Sequence, residues 1–157
     1  QAEDGIRDVE RSRGLGDVYK RQVMMNKVRK SLEDRETCGA SRILVMKLLP
    51  ALLEKNIAEF GEALTMLQVE VGKMFVEAQG GVFRHPTIQQ GIEFLSQNGA
   101  YGSGQSSWGP AFYGLVEGKL KAKELSDKLS VFLEEHGGGS VFFSNVNNSE
   151  AEILTFK

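Results

Sequence analysis

The sequence has 157 residues, with 19 Lys and Arg against 21 Asp and Glu, which gives a formal net charge of −2. A chain this close to neutral, with its basic residues interspersed among acids, has no general electrostatic reason to bind nucleic acid. It contains no run of about eighteen or more apolar residues, so no membrane-spanning helix is expected. The only cysteine, Cys38, cannot form an internal disulfide, which predicts a reducing, cytoplasmic setting.

Residues 1–22, QAEDGIRDVERSRGLGDVYKRQ, show no helical or alternating apolar pattern that could bury a face. A targeting peptide is disfavoured, because the stretch has no apolar core and is rich in acids. One reading frame of a common short-read sequencing adaptor encodes the whole stretch, including its variable index. We therefore interpret residues 1–22 as a non-native leader that is expected to be disordered. Residues 23–40 are then expected to be the remnant of a link to a missing N-terminal domain, and residues 41–157 to form a C-terminal domain.

Residues 41–77 are dominated by helical signal. Asn56 followed by Glu59 predicts an N-cap with its reciprocal acid, which restarts the helix after Lys55. Pro50 should either kink the preceding helix or begin its second half. One apolar stripe recurs at helical intervals: Phe60, Leu64, Leu67, Val71 and Phe75. The methionines of this region are expected to fill the core: Met46, Met66 and Met74.

The stretch QGGVFRHP (79–86) breaks this pattern. Gly80 and Gly81 permit positive φ angles, and Pro86 suits the first turn of a following helix. A second apolar stripe predicts that helix over 86–98, with Gly99 ending it: Ile88, Ile92 and Leu95.

The segment GAYGSGQSSWGPAFYGLVEG (99–118) predicts a glycine-rich loop followed by a buried strand over 111–117. An amphipathic helix is predicted within 119–139, where three glycines end it and four apolar residues form its buried stripe: Leu125, Leu129, Phe132 and Leu133. Two short strands, 140–145 and 150–156, are joined by a turn at Asn147 and Asn148. This order predicts an α+β sandwich, with an antiparallel sheet packed against helices in a ferredoxin-like arrangement.

The loop YGSGQSSWGP (101–110) is the best candidate for chemistry. Small and hydroxylic residues let backbone N–H groups converge on phosphate or pyrophosphate oxygens, and serine hydroxyls add donors. Trp108 can stack on an aromatic ligand or cap the core. The alternative is an ordinary turn, because the loop matches neither the P-loop nor the dinucleotide fingerprint. The predicted substrate- and phosphate-binding residues are Gly102, Ser103, Gly104, Gln105, Ser106, Ser107 and Trp108.

Neither histidine requires a catalytic role. His85 suits the entry to a helix. His136 suits the end of one, where its side chain interacts favourably with the helix macrodipole. Three acids are expected on exposed helix faces: Glu62, Glu70 and Glu77. No metal-ligand spacing and no nucleophile triad are found in the sequence, so the catalytic residues are not identified from it.

Three stretches carry a resemblance to a known family: MKLLPALLEKNIAEFGEAL, QGGVFRHP and NGAYGSGQSSWGPAFYGLVEG. They resemble the C-terminal half of the archaeal beta-ribofuranosylaminobenzene 5'-phosphate synthases, also described as beta-ribofuranosylphenol 5'-phosphate synthases, within the GHMP kinase superfamily. The resemblance covers about residues 41–156, and GQSSWGP is its most specific part. In that superfamily the corresponding glycine-rich element, the third motif, lies beside the active site. The nucleotide-phosphate motif of its N-terminal domain is not found in this sequence, as expected of a C-terminal fragment.

The resemblance implies a glycosyltransferase reaction. Phosphoribosyl pyrophosphate would condense with 4-hydroxybenzoate or 4-aminobenzoate, with release of carbon dioxide and pyrophosphate, in methanopterin biosynthesis. It implies Mg²⁺ as a cofactor, small molecules as partners rather than nucleic acid or membrane, and allows a homodimer. The glycine-rich loop would stabilise the leaving pyrophosphate and Trp108 would place the arene, while the fragment alone would be inactive.

The third motif also departs from its relatives. Kinases of the superfamily favour Gly and Ala where this chain has Gln105, Ser106, Ser107 and Trp108, which favours a different phosphorylated substrate. Two alternatives stay open: an ATP-dependent small-molecule kinase of the same superfamily, and a non-catalytic ferredoxin-like module for ligand binding or dimerisation.

Overall fold

The structure is a computed structural model that describes residues 22, 23, 25, 26, 38–146 and 148. The chain divides into two compact units, with the boundary between Val116 and Glu117. The described part of the first unit contains several helices and a two-stranded sheet, and that of the second contains one long helix. The leader over 1–21, the predicted turn residue Asn147 and the predicted strand over 150–156 lie outside the described residues.

The first helical segment is continuous but changes its winding. It consists of α1 (Cys38–Ile43), a π-helical stretch (Leu44–Leu48) and α2 (Leu49–Leu53). Pro50 lies in the first turn of α2, directly after the π-helical stretch, where a residue without an N–H group interrupts the regular pattern of backbone hydrogen bonds. The prediction that Pro50 begins the second half of the segment is confirmed.

The methionines of the first unit do not all enter the core. Met46 is 69 % exposed, so the prediction that it fills the core is wrong. Its turn of the helix faces solvent, as the exposure of its neighbours Val45 and Leu49 shows. Met66 lies at the surface as well, whereas Met74 is partly buried.

Helix α3 (Ile57–Met74) begins at its predicted cap and is followed by the short helix α4 (Val76–Gln79). The Asn56 side-chain oxygen accepts a hydrogen bond from the Glu59 N–H at 3.2 Å. The reciprocal half of the predicted capping arrangement does not form, because the Asn56 N–H donates to the Ala51 carbonyl at 2.9 Å. The Asn56 N–H is therefore already hydrogen-bonded within the turn that ends α2, and it does not need the Glu59 side chain as an acceptor.

We expect the Asn56→Ala substitution to lower the free energy of unfolding by about 1 kcal/mol, because the Glu59 N–H loses its acceptor at the helix start. Urea denaturation of the whole chain measures this loss. Asn56→Ser keeps a side-chain acceptor and should recover most of the stability. Equal losses for the two variants would show that the cap hydrogen bond does not matter.

The buried face of α3 differs from the predicted stripe. Its buried residues are small: Gly61, Ala63 and Gly72. The predicted apolar stripe is only partly buried, and Val71 is 36 % exposed. Small residues face inward because the first strand of the sheet lies against α3 at backbone distance: a Cβ atom on Gly61 would collide with the Tyr101 carbonyl group and lie 2.8 Å from the Gly102 nitrogen.

Helix α5 (Pro86–Gln97) follows the predicted pattern closely. His85 is the N-cap, and its Nδ1 atom accepts a hydrogen bond from the Thr87 N–H at 3.2 Å. Gly99 has a φ angle of +94°, in the left-handed region that ends helices. The predicted stripe is buried and supplies much of the apolar core: Ile88, Ile92 and Leu95.

The sheet consists of β1 (Gly102–Gln105) and β2 (Phe112–Leu115), which pair antiparallel from Gly102↔Leu115 to Gln105↔Phe112. The prediction that 101–110 is entirely loop is wrong, since its first half is the most buried strand. Strand β2 is shorter than predicted and only partly buried. Glycines without a Cβ let β1 approach α3 closely. The predicted α+β class, an antiparallel sheet with helices, is confirmed.

The second unit contains α6 (Lys119–Glu135), with Leu125 and Leu133 buried as predicted. The predicted glycine stop is confirmed, because the Gly138 N–H donates to the Leu133 carbonyl at 2.7 Å and Gly137 has a φ angle of +103°. The predicted strand over 140–145 is wrong: no strand forms there, because none of the described residues pairs with it. Among the described helices, none is long and apolar enough to cross a membrane.

Candidate functional site

The seven predicted site residues fall into two structural groups. Gly102–Gln105 form the buried strand β1, and residues 106–108 form the turn that follows it. The Gly109 N–H donates to the Ser106 carbonyl and the Ser106 N–H to the Ala111 carbonyl, both at 2.9 Å. These bonds close a tight turn in which Ser106 and Ser107 are exposed.

The buried group already has partners inside the protein. The Ser103 N–H donates to the Thr65 hydroxyl at 2.9 Å, and the Ser103 hydroxyl lies 3.4 Å from the Ile92 carbonyl. A Cβ atom on Gly104 would lie 2.5 Å from Cγ of Gln68 and 2.9 Å from the Tyr113 hydroxyl oxygen. The packing thus gives β1 a structural role, while ligand binding by Gly102, Ser103 and Gly104 stays a prediction.

Tyr113 packs over Gly104 from β2. Burial raises the pKa of the Tyr113 phenol above its ordinary value of 10.0. The phenol is therefore neutral at neutral pH and offers a hydroxyl rather than a phenolate beside the strand.

Gln105 joins the turn to the segment before α5. Its side-chain oxygen accepts a hydrogen bond from the Arg84 N–H at 2.8 Å, and its side-chain nitrogen donates to the Ser107 carbonyl at 2.9 Å. The Arg84 guanidinium donates a further hydrogen bond, to the Trp108 carbonyl at 3.2 Å. Sequence reasoning missed Arg84, because no motif marks a basic residue that acts 24 positions away along the chain.

The turn borders a small, partly open cavity that is lined in part by aromatic rings. The rings of Phe75 and Trp108 meet edge to face, with centroids 5.4 Å apart and an interplanar angle of 75°. The cavity has a volume of about 170 Å³. Apolar and aromatic side chains form most of its lining, with three glutamines and a serine as the polar members: Gln68, Val71, Gly72, Phe75, Gln79, Val82, Phe83, Gln105, Ser107 and Trp108. We call this space the Trp108 cavity.

A second cavity of about 400 Å³ lies elsewhere in the first unit. Two predicted surface acids line it, Glu62 and Glu70, and Glu70 pairs with Lys73 at 2.5 Å. None of the seven predicted site residues reaches this cavity, whose lining consists of Ile43, Glu62, Thr65, Met66, Val69, Glu70, Ser96 and Tyr101.

Neither histidine is placed for catalysis by its local structure. His85 caps α5, and the Nδ1 atom of His136 lies 2.7 Å from the Phe132 carbonyl at the end of α6. The His136 ring also stacks on Phe132, with centroids 4.0 Å apart. Within the described residues, no group of three or more His, Cys, Asp and Glu side chains converges on a metal site. The described residues therefore do not form a site that fits Mg²⁺, and Mg²⁺ stays a prediction.

Comparison with known proteins adds to this geometry. The profile of a family described as "GHMP kinases C terminal" matches residues 48–134. The chain is 35 % identical over 85 residues to the beta-ribofuranosylphenol 5'-phosphate synthase of Methanothermobacter thermautotrophicus, a match that covers 54 % of this chain and 25 % of the relative. It is 31 % identical over 109 residues to the protein of the same name from Methanocaldococcus jannaschii, covering 68 % of this chain and 30 % of the relative. The chain thus spans less than a third of these relatives. No solved structure matches.

Proposed function

The chain belongs to the GHMP kinase C-terminal family, and from this premise we propose that it is the C-terminal part of a beta-ribofuranosylphenol 5'-phosphate synthase. The observation that carries the proposal is the similarity to two archaeal proteins of that name, at 35 % and 31 % identity. The resemblance of GQSSWGP to the third motif of the synthases supports the same assignment.

The proposed reaction joins phosphoribosyl pyrophosphate to 4-hydroxybenzoate, or to 4-aminobenzoate. The bond between ribose C1 and the pyrophosphate oxygen breaks, and pyrophosphate leaves with the electron pair. The ring carbon that bears the carboxylate forms a bond to ribose C1, and carbon dioxide then leaves its bonding electrons to the ring. Atoms and electrons balance, so the reaction needs no oxidant or reductant.

The described residues have defined parts in this proposal. The N–H groups of Ser107 and Trp108 make no hydrogen bond within the described structure, and the hydroxyls of Ser106 and Ser107 are exposed. We expect these groups to bind oxygens of the departing pyrophosphate, because donors fixed in a tight turn need little reorganisation. Mg²⁺, which the resemblance implies as a cofactor, belongs to the proposal without any residue assigned to it. The methanopterin pathway, a cytoplasmic setting and a homodimer belong to the proposal as well.

A chimera tests the proposed function. Residues 48–134 replace the matching segment of the Methanothermobacter relative, and the product from 4-hydroxybenzoate and phosphoribosyl pyrophosphate is measured by mass spectrometry. We expect beta-ribofuranosylphenol 5'-phosphate and pyrophosphate in equal amounts, with the unmodified relative as the positive control and the isolated chain as the baseline.

The same chimera separates the rival functions. A folded chimera that phosphorylates a small molecule from ATP, and forms no ribosyl product, would favour the kinase. A folded chimera with neither activity, beside an active parent, would favour a non-catalytic module. Ser106→Ala and Ser107→Ala together should lower kcat/KM for phosphoribosyl pyrophosphate about tenfold or more, whereas Gln90→Ala on the exposed side of α5 should not change it.

A further inference from the structure

We propose that the Trp108 cavity binds the aromatic substrate as a single ring that carries a carboxylate. The choice of ligand rests on the proposed function, while the size and chemistry of the cavity are independent of it. An apolar cavity of about 150 Å³ in a protein interior takes up one benzene molecule. The Trp108 cavity, at about 170 Å³, has room for one such ring within its walls.

The walls suit an aromatic guest. Phe75 and Trp108 already pack edge to face, so their ring faces and edges are held in fixed orientations. Phe83 adds a third ring to the lining. Aromatic rings bind one another best in such offset and edge-to-face arrangements, which gives a flat guest both contact area and a defined plane.

Arg84 supplies a charge for the carboxylate. Its backbone N–H binds Gln105 and its guanidinium binds the Trp108 carbonyl, so the residue lies against two members of the lining. One N–H group of the guanidinium donates a hydrogen bond to the Trp108 carbonyl. Among the described residues, the guanidinium forms no ion pair with a carboxylate. The remaining donors have the planar fork that binds a carboxylate through two bonds.

Gln68 supplies a further polar contact in the lining of the cavity. Its side chain is partly buried in the lining, and its amide makes no hydrogen bond within the described structure. An amide both donates and accepts, so it can bind a hydroxyl or an amino group equally well. A benzoate that also carries a hydroxyl or an amino group therefore has a partner for each of its polar groups, Arg84 for the carboxylate and Gln68 for the other group.

The second cavity is a poor alternative for the same ligand. It is larger, and the carboxylates of Glu62 and Glu70 line it. These negative charges repel the carboxylate of a benzoate. Lys73 pairs with Glu70 and leaves the charge of Glu62 without this compensation. It therefore provides a site for the matched control variant.

The test follows binding to the whole chain and needs no catalysis. Trp108 is the only tryptophan of the sequence, so a ¹⁵N-labelled sample gives a single indole N–H signal that reports from the cavity. We expect 4-hydroxybenzoate to shift this signal in a saturable way, and phenol to bind about tenfold more weakly because it lacks the carboxylate. ATP should give no saturable shift of the indole signal.

Two variants and a control complete the experiment. Arg84→Gln removes the positive charge and should weaken 4-hydroxybenzoate binding about tenfold, whereas phenol should bind as before because it has no carboxylate. Val71→Phe fills the cavity from its partly exposed wall and should abolish binding. Met66→Ala, in the second cavity, should bind normally. The dispersed amide signals show in each case that the variant is folded.

Failure of this inference is distinct from failure of the proposed function. No saturable shift in the wild-type chain, or unchanged binding in folded Arg84→Gln and Val71→Phe variants, would overturn the inference even if the chimera makes product. Saturable binding that both variants weaken would support it even if the chimera is inactive.

Discussion

Replacing Gly61 with alanine is expected to lower the free energy of unfolding by about 2–3 kcal/mol, although alanine is the better helix former. Gly61 lies in the second turn of α3, and its Cα faces the backbone of Tyr101 and Gly102. A new Cβ atom would collide with the Tyr101 carbonyl group, which is main chain and cannot rotate away as a side chain would. The helix and β1 must separate, and that separation disrupts the core below the candidate site.

Urea denaturation of the whole chain measures this loss, with Glu62→Ala as the control. Glu62 is the next residue of α3 and is exposed, so its substitution should change stability by no more than about 0.5 kcal/mol. Helix propensity alone would make Gly61→Ala more stable by roughly 1 kcal/mol. A gain of that size would show that the close approach of α3 and β1 is not as the structure has it.

The opposite side of the same contact gives a second measurement. A Cβ atom on Gly102 would lie 2.6 Å from the Gly61 Cα and 2.8 Å from its carbonyl carbon. Gly102→Ala should therefore destabilise the chain as well. The double variant should lose less than the sum of the two single losses, because the first separation already makes room for the second methyl group.

Sequence patterns predicted the helices well because their signals are local. The Asn56 cap, the His85 and Pro86 entry to α5 and the glycine stop after α6 depend on neighbours two to five residues away. Apolar periodicity also found the buried face of α5. It failed for α3, because the inward face there is made of small residues, which a hydrophobic stripe does not reveal.

Strand β1 could not be predicted from its own residues. The sequence GSGQ has neither β-branched residues nor apolar alternation, and it is typical of a turn. It becomes a strand for two reasons. Its glycines have no Cβ atoms, which allows the backbone to pack on α3, and the Thr65 hydroxyl accepts a hydrogen bond from the Ser103 N–H. Those contacts join parts of the chain 38 positions apart, which no local pattern encodes.

The candidate site was predicted in part. The sequence singled out Ser106, Ser107 and Trp108, which the structure places together in the turn, with the latter two in the lining of the Trp108 cavity. It gave no sign of Phe75, Phe83 or Arg84 as neighbours of that turn. The cavity exists only after the end of α3, the segment before α5 and the turn have packed together, so its residues share no motif.

Gln105→Met is expected to lower the free energy of unfolding by about 2–4 kcal/mol. Methionine keeps the length and flexibility of the side chain but removes both of its hydrogen-bonding groups. The Arg84 N–H and the Ser107 carbonyl then lose their partners, at a cost of about 1–3 kcal/mol for each group that stays buried. Gln105 is only 7 % exposed and both hydrogen bonds are partly buried, so water replaces the lost bonds only in part.

The contribution of the two bonds can be separated from any role of Gln105 in ligand binding. Gln90→Met, at an exposed position of α5, controls for the change in composition and should leave stability within about 0.5 kcal/mol. In the Gln105→Met variant we also expect the indole signal of Trp108 to broaden or move without any ligand, because the turn has lost its connection to Arg84. If Gln105 acts on the ligand alone, the unfolding midpoint and the free indole signal stay as in the wild type, and only the binding of 4-hydroxybenzoate weakens. That result would contradict the structural role of Gln105 and return it to the set of binding residues.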